Sequence, residues 1–180
     1  MSSNKPKALF LDRDGIINVD HGYVYQKEKF EFTEEIFSLL KLFIKHNYKL
    51  FIVTNQSGIG RNYYTKNDFA VLTEWMLSEF QKRDIHIVSV HHCYHAPEEN
   101  CACRKPQTGM IDEILFKHKI DLKNSWLIGD KQSDIGLAIN SNISQTIAIG
   151  EREIKNATYS FKTILECKLF LEENQAIIST

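Results

Sequence analysis

At 180 residues, 43% apolar and 25% charged, the chain suits one well-buried domain over 1–180 and is too short for two comfortable ones. Its net charge of -1 argues against a nucleic-acid binder, which would be strongly basic. No apolar run reaches membrane-spanning length, and Met1-Ser2-Ser3-Asn4-Lys5 leads straight into the first predicted strand without a signal-peptide pattern, so a cytoplasmic monomer is expected.

Ala8-Leu9-Phe10-Leu11 reads as a buried strand, and Asp12-Arg13-Asp14-Gly15 follows it directly. Strand side chains alternate faces, so Asp12 and Asp14 would leave the strand end pointing the same way. Open α/β sheets bind ligands at that end. Residues 19–32 form a long polar and aromatic connection, of the kind that carries binding residues. Thr33, with Glu34 and Glu35 behind it, predicts a helix N-cap and an acidic first turn. Ile36, Leu39, Leu40 and Phe43 then recur at helical spacing. A second buried strand over 49–53 runs into the small polar loop Thr54-Asn55-Gln56-Ser57-Gly58-Ile59-Gly60.

Thr65 and Asp68 make a capping-box pattern, and Phe69, Leu72, Met76 and Phe80 form the stripe of the helix it opens. A third strand is expected over 85–90, then a Cys/His-rich loop over 91–106, with His91 and His92 finishing the strand rather than binding metal. A helix over 108–119 turns Ile111, Ile114 and Leu115 inward. The fourth strand, 125–128, ends in Gly129-Asp130-Lys131. A helix over 132–142, a strand over 144–149 and a short edge strand over 157–161 come next. Thr163-Ile164-Leu165-Glu166 is a capping-box sequence for the last helix, where Cys167 reads as core.

Alternating strands and helices predict an α/β fold: a three-layer, Rossmann-like parallel sheet with helices on both faces. In such a sheet the loops around Asp12-Asp14, Thr54-Ser57 and Asp130-Lys131 share one edge. Asp12, Asp14 and Asp130 offer oxygen ligands for Mg²⁺, which takes a few carboxylates plus water and substrate phosphate. Thr54 and Asn55 offer small hydrogen-bonding groups, and Lys105 and Lys131 offer fixed positive charge. This set suits phosphoryl transfer, in which positioning and charge stabilisation do most of the work. Asp134, one turn beyond Asp130, can orient that carboxylate or stand on a solvated helix face. The glycine-rich lysine motif of P-loop enzymes is missing from the sequence, which disfavours a nucleotide kinase of that type.

Three of the four cysteines crowd between positions 93 and 103. Cys93-Tyr94-His95, five residues, then Cys101-Ala102-Cys103 give three thiolates and an imidazole, a tetrahedral Zn²⁺ set. Four protein ligands leave no open coordination position, so this zinc would be structural. Free, clustered thiols also fit a reducing compartment.

Four ordered motifs, FLDRDG, TNQSG, CRKP and GDK-x-x-D, resemble the haloacid-dehalogenase (HAD) superfamily of phosphatases over nearly the whole chain. The segment Asp20-His21-Gly22-Tyr23-Val24 and the zinc loop resemble its heptose-bisphosphate branch, which supplies lipopolysaccharide precursors. The resemblance implies that Asp12 is the nucleophile and Asp14 the general acid and then base. It implies that Mg²⁺ is held by Asp12, the Asp14 backbone carbonyl and Asp130, and that Thr54 and Lys105 grip the phosphoryl group. Asp20, His21, Gly22, Tyr23, Asn55, Gln56, Ser57, Arg104 and Lys131 would contact a phosphorylated sugar. The loop from His95 to Cys101 is shorter than in many members of that branch and resembles the histidinol-phosphate phosphatases, the alternative activity. No stretch is long enough for a large cap domain.

Overall fold

The computed structural model describes residues 5–179; the N-terminal stretch 1–4, expected to lead straight into the first strand, lies outside the described residues. Six strands are laid down in chain order: β1 (Ala8–Leu11), β2 (Lys49–Asn55), β3 (Ile87–Cys93), β4 (Trp126–Gly129), β5 (Gln145–Ile149) and β6 (Tyr159–Phe161). They form one sheet in the order β3-β2-β1-β4-β5-β6, and every pairing is parallel. The helices are α1 (Ile36–Lys45), α2 (Ser57–Gly60), α3 (Lys66–Gln81), α4 (Gly109–Lys117), α5 (Gln132–Asn140), α6 (Ile164–Glu173) and α7 (Ala176–Ser179).

Period-two alternation splits the core into two layers. Leu9 and Leu11 face one side, packed with Ile36, Leu39 and Phe43 of α1, Leu72 and Met76 of α3, and Leu171 of α6. Ala8 and Phe10 face the other, against Met110, Ile111 and Ile114 of α4 and Leu137 and Ala138 of α5. Cys167 is fully buried in the first layer, as expected of a core residue. The predicted three-layer architecture is observed, and no large cap domain covers the sheet edge. Among the described residues no helix is long and apolar enough to cross a membrane.

Several local expectations shift. Thr33 does not cap α1; Glu35 stands at that position with a left-handed φ of 63°. The Thr33 hydroxyl instead donates to the Ile16 carbonyl, and its N–H donates to Ile17 O at 3.0 Å. A long-range bond to the turn after β1 has displaced the local cap. The Thr65–Asp68 capping box forms as expected. Thr163 accepts from Glu166 N, but the Glu166 carboxylate reaches back to Lys162 N rather than to the cap residue. β2 extends through Asn55, and β3 begins and ends later than periodicity suggests, carrying His91, His92 and Cys93. Pairing with β2 keeps those polar residues in the ladder. Part of the predicted loop after β2 is the short helix α2, and α7 has no counterpart in the sequence reading.

Candidate active site

The C-terminal ends of β1, β2 and β4 meet at one rim. Asp12 remains in register beyond β1, its N–H donating to Ile128 O of β4 at 3.0 Å. The chain then turns tightly, with the Arg13 carbonyl accepting the N–H groups of Ile17 and Asn18 at 2.8 and 3.1 Å. Gly15 has φ of 92°, and a β-carbon there would run into the Asp130 carboxylate. Gly129 has the same role for Asp134: a β-carbon would overlap its side chain. Two glycines thus let acids from β4 and α5 close on Asp12. Carboxylate oxygens of Asp12, Asp130 and Asp134 lie within 4.8 Å of one another.

Lys105 is the countercharge. It is 4% exposed, with Nζ 2.8 Å from Asp12 Oδ1, 2.5 Å from Asp134 Oδ1, and donating to Val53 O at 3.0 Å. Asn55 delivers it: Lys105 N donates to Asn55 Oδ1 at 3.0 Å, and Asn55 Nδ2 donates to Lys105 O at 3.4 Å. Asn55 is therefore committed to bracing the lysine loop.

Asp12 and Asp134 share one buried lysine while Asp130 has Lys131 at 3.8 Å, and the charge imbalance shows in the titration of Asp12 and Asp130. Burial, then the neighbouring Asp12 charge, pushes Asp130 up to about 7. Burial also raises Asp12, against the opposing pull of Lys105. For Lys105 burial acts to lower the pKa, but Asp12 and Asp134 together outweigh it and hold the ammonium well above its usual value. Asp130 Oδ1 is buried without a hydrogen bond; Lys131 Nζ stands 3.8 Å away. An unsatisfied buried oxygen in a surplus of negative charge is the setting a divalent cation would complete.

The Asp14 carboxylate lies outside that cluster. It accepts from Arg13 Nη2 at 2.8 Å, Asn18 Nδ2 at 3.1 Å and Gln56 Nε2 at 2.8 Å. Burial alone would raise its pKa; Arg13 and the three donors outweigh burial and lower it. The side-chain acids that cluster are Asp12, Asp130 and Asp134, while the Asp14 carboxylate is engaged by donors outside that cluster. The signal for Asp134 was its position one helical turn past Asp130; its 1% exposure and lysine partner needed the fold.

A cavity of about 260 Å³ opens above Asp14, lined by Asp20, Gly22, Tyr23, Asn55, Gln56, Ser57, Arg104 and Lys131 among others. Lys131 Nζ bridges to Asp20 Oδ2 at 3.2 Å across it. His21 does not join this group; its Nε2 lies 3.2 Å from Glu31 Oε2 at the surface. Thr54 is buried below the cavity, its hydroxyl accepting from Gln56 Nε2 at 2.9 Å. Arg13, Asn18 and Tyr64 are contributors that sequence reasoning missed: Arg13 and Asn18 donate to Asp14 within one turn, and Tyr64 donates to Gln56.

The Cys/His loop rises beside this pocket from the end of β3. Cys93 Sγ is 3.4 Å from Cys101 Sγ and 3.6 Å from His95 Nδ1, and His95 Nδ1 is 3.2 Å from Cys103 Sγ. All four ligand atoms lie within 4.8 Å of one another, and no cysteine is in a disulfide. These spacings approach the edges of a ligand tetrahedron around a metal bound at roughly 2.3 Å to sulfur, whereas Cys103 Sγ and Cys93 Sγ, at 2.8 Å, would have to part to admit it. Cys103 directly precedes Arg104 and Lys105, which supply the two cations.

A carboxylate at the end of β1, a buried lysine and an acid pair after β4 define a phosphatase of the HAD class. The chain matches the family described as polynucleotide kinase 3 phosphatase over residues 8–165. It is 46% identical over 170 residues to the D-glycero-alpha-D-manno-heptose-1,7-bisphosphate 7-phosphatase of Campylobacter jejuni, covering 94% of this chain and 98% of that one. It is also 46% identical over 170 residues to the D-glycero-beta-D-manno-heptose-1,7-bisphosphate 7-phosphatase of Helicobacter pylori, covering 94% and 96%. A HAD-like phosphatase structure from Mesorhizobium loti superposes with a TM-score of 0.82 at 25% identity, covering 97% of this chain and 87% of that one. The chain belongs to the polynucleotide kinase 3 phosphatase family of the HAD superfamily, in the branch that holds the heptose-bisphosphate 7-phosphatases.

Proposed function

We propose that the protein is a Mg²⁺-dependent phosphatase that removes the 7-phosphate of D-glycero-D-manno-heptose 1,7-bisphosphate, in the supply of nucleotide-heptose for lipopolysaccharide core. The observation that carries the chemistry is the clustering of Asp12, Asp130 and Asp134, with Asp12 and Asp134 paired to one buried lysine. The substrate rests on the likeness to the Campylobacter and Helicobacter enzymes.

In this reading Asp12 attacks phosphorus with one carboxylate oxygen. The bond from phosphorus to the sugar oxygen breaks, and Asp14, once it has exchanged the donors that keep it ionised for a proton, gives that proton to the oxygen. Asp14 then takes a proton from water, whose oxygen attacks the aspartyl-phosphate and frees inorganic phosphate. Lys105 and the Thr54 hydroxyl hold the phosphoryl oxygens. Asp20, Gly22, Tyr23, Ser57, Arg104 and Lys131 receive the rest of the sugar, with Asn55 and Gln56 bracing the wall. Asp12, Asp130 and the Asp14 backbone carbonyl would hold Mg²⁺, which supplies charge neutralisation for the transferring group.

Zinc fills the Cys93, His95, Cys101 and Cys103 set and ties the Arg104-Lys105 segment in place. The whole of 1–180 works as one domain, as a monomer, in a reducing cytoplasm. No nucleic acid is bound: the net charge is -1, and the cavity pairs its Lys131 with Asp20. The short loop from His95 to Cys101 favours one second reading, histidinol phosphate as substrate.

A panel of phosphate esters tests the assignment. Both anomers of the heptose bisphosphate, histidinol phosphate and a 3′-phosphorylated oligonucleotide would be compared by kcat/KM with Mg²⁺. The heptose bisphosphate should lead; preference for either other ester refutes the proposed substrate.

A further inference from the structure

Gln56 sits where three polar groups meet. Its Nε2 donates to Asp14 Oδ2 at 2.8 Å and to Thr54 Oγ1 at 2.9 Å, and its Oε1 accepts from the Tyr64 hydroxyl at 2.5 Å. The two ends of a side-chain amide have the same shape and opposite polarity. Turned over, this amide would aim a carbonyl oxygen at the Asp14 carboxylate. Gln56 and Tyr64 are 3% and 5% exposed, so water is poorly placed to replace a lost partner.

Tyr64 is itself rigidly held. Its ring stacks on Tyr25 at 5.1 Å with an interplanar angle of 10°. It also lies over Gly58, where any β-carbon would run into it. Burial pushes the phenol up to about 12, so the hydroxyl keeps its proton and donates.

We propose that Tyr64 is a positioning residue for the phosphatase reaction: its hydroxyl fixes which end of the Gln56 amide faces Asp14, and that amide aims the Asp14 carboxylate at the leaving oxygen. The inference rests on the role given to Asp14 above. It assigns Gln56 to the support of Asp14, since both ends of its amide are already engaged.

Tyr64→Phe removes one oxygen and keeps the ring. A sugar phosphate has a poor leaving group and needs the proton from Asp14, whereas p-nitrophenyl phosphate leaves unaided. The variant should lose roughly tenfold in kcat on the sugar phosphate with KM changed less than about twofold, and lose less than about threefold on p-nitrophenyl phosphate. Equal loss on both esters, or loss on neither, overturns the proposal. Gln56→Leu gives a second test. In that background Tyr64→Phe should add less than about twofold, and a further full loss would mean Tyr64 acts by another route.

Asp14→Asn, run alongside, separates this proposal from the reading beneath it. If Asp14→Asn hydrolyses the sugar phosphate at the wild-type rate, Asp14 is not the acid and that reading fails. If Asp14→Asn is inactive while Tyr64→Phe matches wild type on both esters, the reading stands and the positioning role alone falls.

Discussion

The carboxylate cluster and the Cys/His cluster are built in opposite ways. Asp12 comes from the end of β1, and Asp130 and Asp134 from the end of β4 and the first turn of α5. The Cys/His ligands all come from one stretch, residues 93–103. The first needs the whole sheet to exist and leaves a charge surplus at its centre. The second needs only a short loop, which runs directly into the segment that carries Lys105. The sheet supplies the negative half of the site, and the segment after the thiol loop supplies the positive half.

Breaking the negative half should have the largest effect. Asp12→Asn is expected to lower kcat by at least roughly 10³-fold in a phosphate-release assay while the fold persists. Removing the countercharge comes next. Lys105→Met leaves Asp12 and Asp134 buried without their cation, which should cost about 3–5 kcal/mol in urea unfolding as well as most of the activity. A variant as stable as wild type would show that the buried pair is not needed.

The thiol loop should give a smaller, indirect effect. Wild-type protein purified without chelator should carry one zinc per chain by elemental analysis. Cys101→Ser should weaken metal retention and lower kcat/KM by roughly 10-fold through displacement of Arg104 and Lys105. Unchanged kinetics in a zinc-free variant would separate the two clusters and refute their coupling.

The smallest effect sharpens the charge argument. Burial and Asp12 raise Asp130 from 3.8 to about 7 in the metal-free fold. The native state therefore binds more protons than the unfolded chain between those values, so metal-free stability should fall as pH rises through that window. Mg²⁺ should then raise Tm more at pH 8 than at pH 5. An equal shift at both values would argue that the cation does not relieve Asp130.

This contrast also explains what the sequence made legible. The Cys/His set lies within one short segment, so spacing alone exposed it. The order of strands and helices came from local patterns, because Leu9 and Leu11 alternate with Ala8 and Phe10 in both sequence and packing. Asp12 and Asp130 were found by assuming a parallel sheet. The place of Asp134 was not fixed that way, since nothing local distinguishes a solvated helix acid from one buried against Lys105. Thr33 shows the reverse failure: a good local cap was taken by a long-range bond to Ile16. His21 lies at the surface, 3.2 Å from Glu31 across the same connection, a placement that no local pattern gives.

Asp12 and Asp130, with the Asp14 backbone carbonyl, are proposed to hold Mg²⁺, and Lys105 the phosphoryl oxygens, so that Asp12 can accept phosphorus. Turnover of the heptose bisphosphate followed by ³¹P NMR tests it most directly. The 7-phosphate signal should give way to inorganic phosphate while the 1-phosphate persists, only with Mg²⁺ and not with Asp12→Asn. Hydrolysis that survives chelation of Mg²⁺, or that Asp12→Asn sustains at the wild-type rate, would contradict it.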